Sequence, residues 1–421
     1  MSLAGRLAQH GAAHTTISRS STRPGPRRTS SDRGFEHEAL EVEVARGGTR
    51  PDVVAADLAG LELPSAPALL RALHSLARLP SEGLDPRCPA VMFDLETTGL
   101  MGQPGAMVCV AGAAWHVSPG RIRVEQWSLG RVGAEADMLA HLDQVLRPRV
   151  GSRCAMVTFN GASFDLPLLR RRLVRHGIYR PTDDPYRVPH VDLLVPARRL
   201  WRDRGPDCRL GTLEEHHLRL HRQGDVSGAE VVELLWRWLE EPDASSAEDL
   251  ARVQRHNRID VLSLAALAHT MHERLGDPVD TVERLRAARH HDRLERSARA
   301  LELLEPLLHA LARGAARGCG SALVVEAGLL AAEIDRREGR PDRAARRWAR
   351  VCRAVPGHPV AHDGLAKHLE HRARQPAAAL AVAAASQTPC ERRLTRLRSK
   401  AAGDVIPPVA QVVDAWADPR V

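Results

Sequence analysis

The stretch Ala90-Val91-Met92-Phe93-Asp94-Leu95-Glu96-Thr97-Thr98-Gly99-Leu100 sets four consecutive apolar residues before two acids spaced two apart. On a strand, side chains alternate between faces, so Asp94 and Glu96 share one. The apolar run marks this strand as buried rather than as a solvated edge. Two carboxylates on a buried face repel each other and are costly unless a cation lies between them. Outward from this stretch, residues 107–117 and 122–129 read as two further strands, followed by a helix over 134–146 and a strand over 155–159. A helix over 166–176, a short strand over 190–194 and helices to about Leu275 complete the region. This order predicts an α/β fold, a mixed sheet flanked by helices. No Gly-x-Gly-x-x-Gly or Walker-type loop is present, which argues against a nucleotide-driven motor.

Two later stretches carry the same kind of chemistry. Thr158-Phe159-Asn160-Gly161-Ala162-Ser163-Phe164-Asp165-Leu166-Pro167 runs from a strand end through a glycine turn into a helix. Asp165 is expected at that helix's N-cap, with Pro167 in the first turn. Arg255-His256-Asn257-Arg258-Ile259-Asp260 is expected at the start of another helix, and the four-residue spacing puts His256 and Asp260 on one face. Each stretch alone has an ordinary structural reading.

Composition separates the readings. Of 60 basic residues, only Lys367 and Lys400 are lysine, and tyrosine falls to 2 and phenylalanine to 4. Against this drift toward Arg, Ala and Leu, the chain's two asparagines, Asn160 and Asn257, lie one in each of the later stretches. Three of the four phenylalanines, Phe93, Phe159 and Phe164, lie in the stretches too. Residue types nearly erased elsewhere are retained here, which points to something more specific than packing.

The rest of the chain sets the frame. Its 421 residues allow two or three domains. A hydrophobic content of 43% with 27% charged residues excludes a mostly disordered or collagen-like chain. No stretch is long and apolar enough to cross a bilayer. Seven cysteines without a Cys-x-x-Cys pair suggest neither a zinc knuckle nor a disulfide framework, and reduced cysteines place the protein in the cytoplasm. A net charge of +8 favours polyanionic partners. Residues 1–56 read as a disordered basic tail and 57–89 as a helical extension, with the α/β domain over 90–276. Over 281–390 a 34-residue period appears: Gly339, Ala344, Trp348 and Pro356 follow tetratricopeptide spacing, and Ala332, Ala344 and Trp348 recur as Ala366, Ala378 and Val382. Residues 391–421 read as a C-terminal tail.

The three stretches together resemble the exonuclease motifs of the DEDD superfamily, which has a ribonuclease-H-like fold. They resemble the YprB family of bacterial ribonuclease-H-like exonucleases more closely still. Phe-Asp-Leu-Glu-Thr-Thr-Gly, Phe-Asn-Gly-x-Ser-Phe-Asp and His-Asn-x-x-Asp-Val-x-Ser-Leu are shared, as are the segments around Glu214 and Asp225 and a tetratricopeptide-like helical C-terminus. The resemblance implies that Asp94, Glu96, Asp165 and Asp260 are metal-binding carboxylates for two Mg²⁺ or Mn²⁺ ions. His256 is implied as general base, although its spacing to Asp260 is the one used by superfamily members with tyrosine there. Thr97, Asn160 and Asn257 are expected at the substrate. The implied function is metal-dependent 3′→5′ exonucleolytic hydrolysis of DNA in repair, with the repeats gripping a protein partner such as a helicase, and no membrane involvement. Two rivals stay open: an exoribonuclease, and a catalytically silent nucleic-acid- or protein-binding module on the same fold.

Overall fold

The structure is a computed structural model that describes residues 28–30, 34–43, 61–79, 83–99, 105–118, 120–150, 153–313 and 321–417. The chain divides into two compact units, Met1–Glu273 and Arg274–Val421.

The first unit is built on a seven-stranded sheet. The strands are β1 (Arg28–Ser30), β2 (Phe35–Glu43), β3 (Ala90–Thr97), β4 (Val108–Ser118), β5 (Arg121–Leu129), β6 (Ala155–Thr158) and β7 (His190–Asp192), in the spatial order β1-β2-β5-β4-β3-β6-β7. β3 pairs antiparallel with β4 and parallel with β6, and β6 pairs parallel with β7. The C-terminal ends of β3, β6 and β7 therefore open onto the same edge, where sites of such sheets form. The sequence alternation of β3 is realised in packing. Val91, Phe93 and Leu95 enter one core with Met138, Leu139, Leu169 and Leu173. Those residues come from helices α2 (Glu135–Val150) and α3 (Asp165–Arg175), which follow α1 (Ala66–Leu76). Asp94 and Glu96 face the other way. Helices α4 (Leu194–Trp201), α5 (Gly228–Glu240) and α6 (Ala244–Gly276) complete the unit.

Three sequence expectations change here. Within the expected 1–56 tail, Phe35–Glu43 is a full strand, paired with β5 along its whole length. This stretch is acidic, not basic. Glu41 meets Arg121 at 3.2 Å, His37 stacks on Trp127 and bonds to Glu125 at 3.0 Å, and Phe35 is buried. Residues 1–27, 31–33 and 44–56 of that tail lie outside the described residues. The His256 stretch sits well inside α6 rather than at a helix start. The helix begins earlier because Asp243 and Ser246 cap it reciprocally, at 2.7 and 2.9 Å. Asp165 is the first helical residue of α3, preceded by Phe164 at the cap.

The second unit is helical: α7 (Thr281–Arg293), α8 (Ser297–Ala312), α9 (Ser321–Arg337), α10 (Pro341–Ala354), α11 (Pro359–His371), α12 (Pro376–Ala384), α13 (Glu391–Lys400) and α14 (Val409–Ala417). Trp348 of α10 lies against Gly364 of α11, where an added Cβ would come within 2.5 Å of the indole. The small residue is what lets these helices approach. Within the expected 391–421 tail, Glu391–Lys400 and Val409–Ala417 are instead helices, and residues 418–421 lie outside the described residues. Buried Glu370 takes two 2.8 Å bonds from Arg396 and one from Lys400, holding α13 to α11, and Arg353 of α10 pairs with Asp414 of α14 at 2.9 Å. Glu370 lies 26 residues before Arg396 and 30 before Lys400, so the segment's own residues do not announce the contact.

Candidate active site

β3 delivers Asp94 and Glu96 at its C-terminal end, where the register with β4 shifts between Glu96 and Thr97. Asp94 sits opposite Gly112 of β4. A Cβ at Gly112 would collide with the Asn257 amide and lie 3.1 Å from Val261, so the glycine is what lets α6 lie directly on the sheet. Asn257, fully buried, donates its amide to Asp94 Oδ2 at 2.8 Å and to the Asp94 carbonyl at 3.3 Å. Its Oδ1 accepts from Gln126 at 2.9 Å. Asp165, also buried, accepts the Leu95 backbone N–H at 3.0 Å, which ties the start of α3 to β3 between the two acids.

On α6, His256 Nε2 lies 3.9 Å from Glu96 Oε1 and 3.7 Å from Asp260 Oδ2. Ligand-capable atoms of Glu96, His256 and Asp260 all lie within 4.8 Å of one another. The tight trio thus includes the histidine expected as base, while Asp94 and Asp165 are held beside it through Asn257 and β3. Behind the trio is a network the sequence reading did not assign. Arg222 binds Glu214 at 2.7 and 2.5 Å, Asp225 at 3.2 Å, and Asp260. His256 Nδ1 is 2.7 Å from Asp225 Oδ1. Glu214 and Asp225 lay in quoted shared segments, but Arg222 is one arginine among many and carried no signal.

The three expected substrate residues separate. Asn160 is exposed in a left-handed conformation (φ 65°), and its turn is stapled by Asp192, which accepts the Asn160 and Ala162 N–H groups at 2.8 and 3.1 Å. Thr97 is buried, its hydroxyl donated to Gly99 O at 2.7 Å, and Asn257 is committed to Asp94. Neither side chain offers an exposed polar group. Beside the Asn160 turn lies a cavity of about 580 Å³ whose walls include Phe159, Arg198, Arg202 and Arg209.

The electrostatics are those of crowded acids. Burial first, and then Asp260 and Asp165, push the Asp94 carboxyl well above the usual range, and burial with Asp94 and Asp260 does the same to Glu96. Burial raises Asp165 to about 7, partly offset by the Leu95 N–H. Burial acts to lower His256, but the Asp225 hydrogen bond and the Asp260 charge outweigh it and raise it. The Arg222 side chain, 7% exposed, is shared among Glu214, Asp225 and Asp260. The donor set fits a hard divalent cation: several carboxylates, desolvated and short of positive charge.

Residues 91–272 match the RNase_H superfamily model. A Bacillus subtilis (strain 168) protein, uncharacterised YprB, is 35% identical over 181 residues, which is 42% of this chain and 40% of YprB. The chain thus spans less than half the length of that relative. The first unit carries a ribonuclease-H-like domain, and no described helix is long and apolar enough to cross a membrane.

Proposed function

We propose that the first unit is a metal-dependent exonuclease that hydrolyses DNA from its 3′ end with two divalent ions, acting in repair in the cytoplasm. The observation that carries the reading is the meeting of Glu96, His256 and Asp260 within 4.8 Å, beside half-buried Asp94 and buried Asp165, on a ribonuclease-H-like sheet. Polarity, the preference for DNA over RNA and the repair role rest on the motif resemblance. Asp94, Glu96, Asp165 and Asp260 would hold Mg²⁺ or Mn²⁺. When bound, such ions stabilise the charge that builds on phosphate oxygens during hydrolysis. The chain's own groups do the rest. His256 Nε2 faces the acids and takes the proton of the attacking water, whose oxygen displaces the 3′ oxygen from phosphorus. Asn257 holds Asp94 in place, and the Asn160 turn opens beside a cavity whose guanidinium groups and Phe159 ring suit phosphate and base. The second unit serves, as tetratricopeptide-like repeats, to capture a protein partner or the substrate itself.

The test is hydrolysis of end-labelled single- and double-stranded DNA and RNA with Mg²⁺, Mn²⁺ or EDTA. Stepwise 3′ shortening of DNA that needs metal and is lost in Asp94→Asn is expected. Shortening of RNA alone would replace the substrate assignment, and no hydrolysis of any substrate would leave a silent binding module.

A further inference from the structure

We infer that Asp225 is a positioning residue for His256, with Arg222 tying that pair to Asp260. The inference deepens the nuclease reading, and rests on it, because it concerns how the proposed base is aimed.

An imidazole free to rotate offers two ring orientations and two neutral tautomers, and only one combination presents a lone pair to the acids. Asp225 Oδ1 lies 2.7 Å from His256 Nδ1. An ionised carboxylate only accepts, so Nδ1 carries a proton, and in the neutral imidazole Nε2 is then the lone-pair nitrogen, facing Glu96 and Asp260. Arg222 NH1 also lies 3.2 Å from Nδ1, but two donors do not bond each other. Both converge on the Asp225 carboxylate, Nδ1–H on Oδ1 and the guanidinium on Oδ2 at 3.2 Å. The other Arg222 nitrogen reaches Asp260 Oδ1, while Asp260 Oδ2 faces His256 Nε2. One nearly buried guanidinium, 7% exposed, therefore fixes the spacing of base and acid across a turn of α6.

The backbone of Asp225 is fixed independently of the site. Gly224 precedes it in the left-handed region (φ 63°). Ser227, two residues on, caps α5 in a reciprocal box with Glu230, at 2.8 and 3.3 Å. Asp225 is thus presented by a rigid turn rather than by a floppy loop, as positioning requires.

The experiment uses the full chain with Asp225→Asn, His256→Ala and the double variant. An amide at 225 can turn its NH₂ toward Nδ1 and so favour the wrong tautomer. We expect kcat to fall by about 100-fold or more, the scale of general-base catalysis, with KM within about twofold. Groups acting as a unit are non-additive, so the double variant is expected to be no slower than His256→Ala alone. The Mn²⁺-induced rise in Tm is expected to persist in Asp225→Asn, since no proposed ligand is altered. Nitrogen-15 histidine spectra, with His256 identified by its loss in His256→Ala, are expected to show Nδ1–H in the wild type and a changed tautomer in Asp225→Asn. Additive losses in the double variant, unchanged kcat in Asp225→Asn, or an Nε2–H tautomer in the wild type would each overturn the proposal. If the wild type hydrolyses nothing, the nuclease reading fails, while the spectra still decide whether Asp225 sets the tautomer.

Discussion

Buried carboxylates without a cation store repulsion, and the sign of its pH dependence follows from the shifts. Asp94, Glu96 and Asp165 are raised above their unfolded values, Asp165 to about 7. Between those values the folded protein binds more protons than the unfolded chain, so stability falls as pH rises. In EDTA the Tm is expected to drop from pH 5 to pH 8 more steeply in the wild type than in Asp165→Asn, and Mg²⁺ is expected to restore it at pH 8. Equal slopes in the two proteins would show that Asp165 is not raised. At Gly112 the expectation is steric: Gly112→Ala pushes on the Asn257 amide that holds Asp94. It should cost activity at least tenfold while the fold persists by circular dichroism; wild-type turnover would refute the close approach. Asp94 and Glu96 were legible because acids on an apolar strand stand out, and His256 through its place beside the rare Asn257 and in the motif resemblance. Arg222 was not, because an arginine in an arginine-rich chain carries no contrast. Asn257 was legible as special, but rarity says nothing about which groups its amide bonds, here Asp94 and Gln126.

At the level of elements, β3, β4 and β5 were readable because their own residues decide them. β2 was not, because its glutamates make sense only beside distant arginines: Glu41 beside Arg121 and Arg123 of β5, about 80 residues away, and Glu38 beside Arg258. A short acidic stretch next to an Arg- and Ser-rich segment passes for more tail. The same blindness hid α13 and α14, whose partners, Glu370 and Arg353, lie in other helices. If β2 is integral to the sheet, Phe35→Ala is expected to destabilise the first unit by about 3 kcal/mol, as for other buried aromatic truncations. Urea unfolding followed by tryptophan fluorescence reads this, because Trp127 pairs with and stacks on His37, two residues along β2 from Phe35. A change below about 0.5 kcal/mol, typical of exposed positions, would return 35–43 to the status of a tail.

For the molecule as a whole, the two compact units suggest separable tasks. A chain ending at Gly276 keeps α6 entire, with His256 and Asp260, and should fold and cleave short single strands as the full chain does. What it lacks is the α8–α10 groove of about 550 Å³, lined by Arg343, Arg346, Arg347 and Arg350 on one wall and Glu302 and Glu305 on the other. The glutamates have partners of their own in Arg299 and His309, at 2.6 and 3.9 Å. Buried Asp335 alone serves Arg340, Arg343 and Arg347, at 2.7, 3.8 and 2.5 Å, so positive charge is in excess. Burial and the neighbouring arginines Arg347, Arg346 and Arg353 lower Arg350, as crowded like charges do. If the second unit captures substrate, Arg343→Gln with Arg346→Gln in the full chain should weaken binding of long single strands. Each lost phosphate contact is expected to reduce the slope of log affinity against log salt by about 0.7. Affinity is read by fluorescence anisotropy in EDTA, where no hydrolysis intervenes. Unchanged affinity and slope, with short-strand cleavage intact, would assign the groove to an acidic protein partner instead. A truncated chain that fails to fold would show that the helices support the catalytic sheet and that the units are not separable.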